Sequence, residues 1–106
     1  MSSHLPIACS LGPAELPARR AEMIDLGRAA LLDARLSPAR ARLRFAATDG
    51  VRERVAAFAA AEAECCPFLT MRVTGEPGVV LLTVDAPEEA GAVLAELVES
   101  FRGRAT

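Results

Sequence analysis

The chain has no tryptophan, no tyrosine, no lysine and a single histidine among its 106 residues. Without Trp or Tyr there is no aromatic platform on which bases could stack. The net charge of -2 supplies no basic field for nucleic acid or an anionic membrane. The missing lysine excludes an amine nucleophile or a Schiff base. His4, the only histidine, leaves no Ser-His-Asp or Cys-His arrangement for nucleophilic catalysis. It also leaves a closed tetrahedral zinc site one ligand short. No run approaches the roughly 18 apolar residues of a membrane span. The N-terminus lacks the basic start and apolar core of a signal peptide. A cytoplasmic protein with reduced thiols is therefore expected, with neither nucleic acid nor membrane as partner. The glycines are scattered, so no phosphate-binding loop is present.

Half of the residues are apolar and a quarter are charged, the balance of an ordinary globular chain. Its length suits one domain spanning 1–106, with residues 1–4 and 104–106 expected to be flexible ends. A first short strand is expected over residues 5–11, followed by a turn rich in Gly and Pro. A helix is expected over 18–33, where Met23, Leu26, Ala30 and Leu31 keep helical spacing. Residues 40–46 alternate cleanly, with Ala41, Leu43 and Phe45 on one side and Arg40, Arg42 and Arg44 on the other, which is the signature of a half-exposed strand. That arginine row reads first as a solvated face and second as an anion site. A second helix begins near Thr48 or Asp49, either of which can cap it, and Pro67 stops it. Strands over 68–74 and 79–84 flank a Gly75–Gly78 turn. Pro87 opens a last helix with the clearest amphipathic stripe: Ala90, Val93, Leu94, Leu97, Val98 and Phe101. The order is βαβαββα. It predicts an α+β two-layer sandwich with one four-stranded sheet and helices on one face. The apolar strands of the hairpin point to a covered face and a homodimer contact.

Chemistry concentrates at Glu62-Ala63-Glu64-Cys65-Cys66-Pro67-Phe68-Leu69. Glu62 lies near the stripe of Val51, Val55 and Phe58, and Cys65 and Cys66 follow three and four positions later. All three can converge on one side of the last helical turn, while Glu64 points away. A carboxylate on an apolar face needs a partner, which could be an arginine, a thiol proton or a metal. Candidate arginines are Arg72, Arg42, Arg44, Arg19 and Arg20. Thiolates select soft ions, so Cys65 and Cys66, with Cys9 as third ligand, suit Hg(II), Cu(I), Zn(II) or As(III). The competing redox reading needs an activated thiolate, which a helix C-terminus disfavours unless an arginine is close. The plainest reading takes cysteines as small hydrophobes in the core.

At these residues the chain resembles a group of small bacterial proteins with a Glu-x-x-Cys-Cys-x-Phe-Leu-like core. The resemblance extends to Cys9-Ser10-Leu11, to Glu15 and Arg20, and to Leu43-Arg44-Phe45. It implies that Cys9 belongs with the Cys65–Cys66 pair and that Arg20 supports the site. It points to heavy-metal resistance or thiol chemistry without supplying an enzyme class. The expected function is a cytoplasmic soft-metal or metalloid-binding protein. Its alternatives are a thiol-dependent oxidoreductase or detoxification enzyme acting on a small thiol-reactive ligand, and a small oligomeric module with structural cysteines.

Overall fold

A computed structural model describes residues 15–103 of the chain. The strand expected over 5–11, His4, Cys9 and the C-terminal residues 104–106 lie outside the described residues. Helix α1 (Glu15–Ala30) leads into a β-hairpin of β1 (Leu31–Ser37) and β2 (Arg40–Ala46). Helix α2 (Val51–Cys65) follows, then a second hairpin of β3 (Thr70–Glu76) and β4 (Val79–Asp85). A short 3₁₀ turn (Glu88–Ala90) opens helix α3 (Gly91–Phe101). The four strands form one antiparallel sheet in the order β1-β2-β4-β3. The α+β architecture with a four-stranded sheet is as expected.

One element departs from the sequence reading. Residues 31–33, read as the end of the first helix, begin strand β1. Its pairing with β2 runs from Leu31↔Phe45 to Ser37↔Arg40, with a bulge between Leu31 and Asp33. A bulge places an extra residue in one strand and breaks the period-two pattern. Leu31, Ala34 and Leu36 therefore carry no clean alternation, and the helical spacing of Met23, Leu26 and Ala30 runs on past its true end. Two further boundaries shift. The N-cap of α2 is Gly50, at φ 81°, with no side-chain cap from Thr48 or Asp49. The second hairpin turns more tightly than expected, on Pro77 and Gly78, where Gly78 takes φ 77°. Pro fixes one torsion and Gly supplies the positive one.

Register explains the layers. Ala41, Leu43 and Phe45 sit opposite Val84, Leu82 and Val80, and all six are buried beneath the helices. Met71 and Val73 extend the same face onto β3. Phe101, at the end of α3, meets the edges of Phe45 and Phe58 with ring centroids 5.5 and 5.1 Å apart. Edge-to-face contact places the positive ring edge on the negative ring face. Phe101 thus joins the sheet to both α2 and α3. The opposite face of the sheet carries Arg35, Arg40, Arg42, Arg44 and Arg72, and no helix among the described residues covers it.

Gly27 decides how α1 docks. A Cβ at this position would fall on the carbonyl oxygen of Phe101. Only the missing side chain lets α1 lie so close to the end of α3. That approach carries the first turns of α1 toward the end of α2, where the cysteines are.

Candidate functional site

Helix α2 ends at Cys65, and the Cys66 N–H makes the last helical bond, to the Glu62 carbonyl at 2.7 Å. Cys66 leaves the helical region at φ -127°, ψ 77°, as expected of a residue before proline. The chain then turns at once, with the Leu69 N–H donating to the Cys66 carbonyl at 2.9 Å. Helix periodicity turns Glu62 inward with Val55, Phe58 and Ala59, and it is 5% exposed. Glu64 is exposed, as its position on the helix requires.

The counter-charge for Glu62 comes from α1. Arg19 donates through Nη1 to Glu62 Oε2. Its other terminal nitrogen, Nη2, lies 4.0 Å from Cys65 Sγ. Partial burial works against the charge on Arg19, but the Glu62 carboxylate and then the Cys65 sulfur outweigh it, and the guanidinium is held above its ordinary value. Of the five candidate arginines, Arg19 is the one that reaches this carboxylate by a described bond. Arg44 is bonded to Asp33, Arg72 lies beside Asp85, and Arg42 is exposed on the uncovered sheet face. Arg20, favoured by the resemblance, is the half-buried neighbour of Arg19. A sequence signal for Arg19 exists: it precedes Met23, Leu26 and Ala30 at helical spacing, so it extends the buried stripe by one turn. A charged residue in line with an apolar stripe is a candidate for a buried pair.

The two cysteines are not equivalent. Cys66 is disulfide-bonded and 1% exposed. Cys65 is a free thiol and half-buried. Cys66 Sγ lies 3.4 Å from Glu62 Oε1. In the disulfide this sulfur carries no hydrogen, so the approach becomes a hydrogen bond only on reduction, when the S–H can donate to the carboxylate. The two oxygens of Glu62 therefore divide their work, Oε2 toward Arg19 and Oε1 toward Cys66, while Arg19 also borders Cys65. Sulfur, carboxylate and guanidinium form one contiguous polar cluster at the junction of α1 and α2. Among the described residues, every buried side-chain nitrogen and oxygen has a partner.

The oxidised Cys66 departs from the expectation of three reduced thiols. Among the described residues no group of three or more His, Cys, Asp or Glu side chains is placed to hold a metal ion. No helix among them is long and apolar enough to cross a membrane. Comparison of the chain with models of protein families, with curated proteins and with solved structures finds no match.

Proposed function

We propose that this is a thiol–disulfide redox protein whose centre is Cys65 and Cys66, set on the Arg19–Glu62 pair. One observation carries the reading: consecutive cysteines are in different states, Cys66 oxidised and Cys65 free beside a guanidinium. The chain has three cysteines, so the proposal gives Cys9 to Cys66 as partner. It places the protein in the cytoplasm, where disulfides are transient and serve catalysis or sensing.

The net reaction is a two-electron exchange. The protein disulfide and two small thiols RSH become a protein dithiol and RSSR. A thiolate RS⁻ attacks one sulfur of the disulfide, the S–S bond breaks, and the other sulfur leaves as thiolate and takes a proton. A second RS⁻ attacks the mixed disulfide at the small-thiol sulfur and releases RSSR. Cys66 is shielded from solvent, so the accessible sulfur beside it is Cys65. In the oxidising direction its thiolate attacks RSSR and releases RS⁻, the Cys66 thiolate attacks the Cys65 sulfur and releases the second RS⁻, and the Cys9 thiolate then attacks Cys66 and frees Cys65. Arg19 stands where that negative charge develops and offsets the unfavourable C-terminal end of α2. Glu62 receives the S–H of reduced Cys66.

Thiol counting on the denatured protein tests the state directly. The oxidised chain should give one reactive thiol and the reduced chain three. Exchange with a small aromatic disulfide should slow at least tenfold in Cys65→Ser. Three thiols in the protein as isolated under non-reducing conditions, or exchange untouched by Cys65→Ser, would sink the proposal.

A second reading rests on the same cluster. Once reduced, Cys66 lies against Glu62 and Cys65 against Arg19, and with Cys9 as a third sulfur the thiolates would take a soft metal or metalloid ion such as Hg(II), Cu(I), Zn(II) or As(III). Here the ion would be bound cargo, and oxidation of Cys66 would release it. Titration of the reduced protein, followed by thiolate-to-metal absorption, decides: no absorption change up to equimolar metal rejects this reading and leaves the redox one standing. If Cys65→Ala/Cys66→Ala preserves both the fold and every cellular phenotype, the cysteines are core filler, and the oligomeric module is the reading left.

A further inference from the structure

The uncovered sheet face holds a second cluster, unrelated to the cysteines and on the opposite side of the sheet. Three rows cross it. Arg40 donates to Asp85 at 2.6 Å, and Arg44 donates to Asp33 at 2.6 Å. In both rows opposite signs meet. The row between them breaks the pattern: Arg35 on β1 is the direct cross-strand partner of Arg42 on β2, followed by Thr83 and then Arg72. Arg72 lies 3.7 Å from Asp85. Arg35 and Arg42 are both exposed, and neither has an acidic partner among the described residues.

Like charges directly opposite each other on neighbouring strands destabilise the pair. A strand face selected only for solubility would alternate sign here, as its two neighbouring rows do. The two guanidiniums also line a concavity of about 170 Å³, together with the Asp33–Arg44 pair, Glu76 and Leu81. That volume exceeds several times the roughly 30 Å³ share of one water, so a small oxyanion fits within it. Asp33 is already neutralised by Arg44, which leaves Glu76 as the one acid in the concavity set against two guanidiniums. Guanidinium groups bind planar or tetrahedral oxyanions through paired N–H donors.

We propose that Arg35 and Arg42 form a binding site for a phosphate group. The phosphate would bridge the two guanidiniums and relieve their repulsion. Its source is either the free ion or a small phosphate ester, since the concavity opens to solvent.

The test is a titration of isotope-labelled protein, following the arginine Nε–H and backbone amide resonances of β1 and β2. Inorganic phosphate and methyl phosphate are compared with chloride at matched ionic strength. The expected result is a saturable shift centred on Arg35 and Arg42 with at least one of the two phosphates. Its midpoint should move more than tenfold in Arg35→Gln and in Arg42→Gln, and stay unchanged in Arg40→Gln. Methyl phosphate binding as well as the free ion would assign the site to an ester, and binding of the free ion alone would assign it to the ion. Non-saturating shifts that chloride reproduces would overturn the proposal. So would saturation that survives both substitutions, whose exposed positions leave the fold intact.

Discussion

Replacing Gly27 by alanine sets two effects of known sign against each other. Alanine is favoured over glycine inside a helix by about 1 kcal/mol, and Gly27 lies in the last turn of α1. On propensity alone the variant should be more stable. The structure gives the opposite answer. The new Cβ would collide with the carbonyl oxygen and carbonyl carbon of Phe101 and crowd its Cα, all of them backbone atoms that no rotamer change can move aside. Overpacking of this kind costs about 1–3 kcal/mol, occasionally more, and relief requires α1 to withdraw from α3. Phe101 is itself held by Phe45 and Phe58, so it cannot retreat freely. Because the overlap is with backbone atoms, the cost falls in the upper part of that range, about 2–3 kcal/mol, and the propensity gain of about 1 kcal/mol leaves a net loss of about 1–2 kcal/mol. At 4–8 °C per kcal/mol, that lowers the melting temperature by roughly 5–15 °C. Gly91→Ala is the control. Gly91 has helical torsions, φ -57° and ψ -36°, and the nearest atom to its added Cβ is the Pro38 carbonyl oxygen at an ordinary 3.6 Å. This change should stabilise by about 0.4–1 kcal/mol. Urea unfolding followed by far-UV circular dichroism is the assay, since the chain has no tryptophan or tyrosine for fluorescence. The same helix carries Arg19 to the cysteines, so Gly27→Ala should also change the alkylation rate of Cys65, whereas Gly91→Ala should not. A Gly27→Ala protein as stable as the parent would refute the packing argument.

Further expectations follow from the charges and the core. Arg19→Met removes the guanidinium from Glu62 while keeping an apolar stem. It should cost about 2 kcal/mol, within the range for a hydrogen bond to a charged group. Adding Glu62→Gln should recover much of that loss, because a neutral amide needs no counter-charge, and a double-mutant cycle in urea showing no coupling would contradict this. Phe101→Ala should cost about 3–5 kcal/mol as a buried aromatic deletion, read from the same unfolding curves; a loss under 1 kcal/mol would show that Phe101 does not join the layers. The hydrogen bond from Arg40 holds the Asp85 carboxyl below its ordinary 3.8; partial burial opposes this, and the charges of Arg40 and Arg72 add to it. A depressed carboxyl stabilises the fold above its unfolded value, and the contribution disappears as pH falls through the folded value. Asp85→Asn should therefore lower the urea midpoint at neutral pH, and the gap to the parent should close below pH 3.8. A gap that stays constant with pH would remove the ion pair as its cause.

Much of this protein is legible from local pattern alone. The alternation of Arg40–Ala46 marks β2 to the residue, because one face of that strand is buried and the other is wet. The stripe of α3 is equally plain, since Leu94, Leu97, Val98 and Phe101 all enter the core. Helix periodicity puts Glu62 beside Cys65 and Cys66, and proline chemistry ends the helix there. These are short-range consequences of 3.6-residue and two-residue repeats, so the residues themselves determine them.

Strand β1 is not legible in the same way, because its bulge hides the alternation and its identity comes from pairing with β2. Three further features belong to the tertiary structure alone, each for the same physical reason. Arg19 meets Glu62 across 43 positions of chain, so helical spacing can mark Arg19 for burial but cannot name Glu62 as its partner. Gly27 reads as an ordinary helical glycine until Phe101 is seen pressed against it. The regular Arg40, Arg42 and Arg44 row becomes two ion pairs and one isolated Arg35–Arg42 couple only when strand register supplies Asp33 and Asp85. Composition and periodicity determine which elements form and which way each residue faces. The partner of each charge and each thiol is decided by contacts between elements, which carry no trace in local pattern.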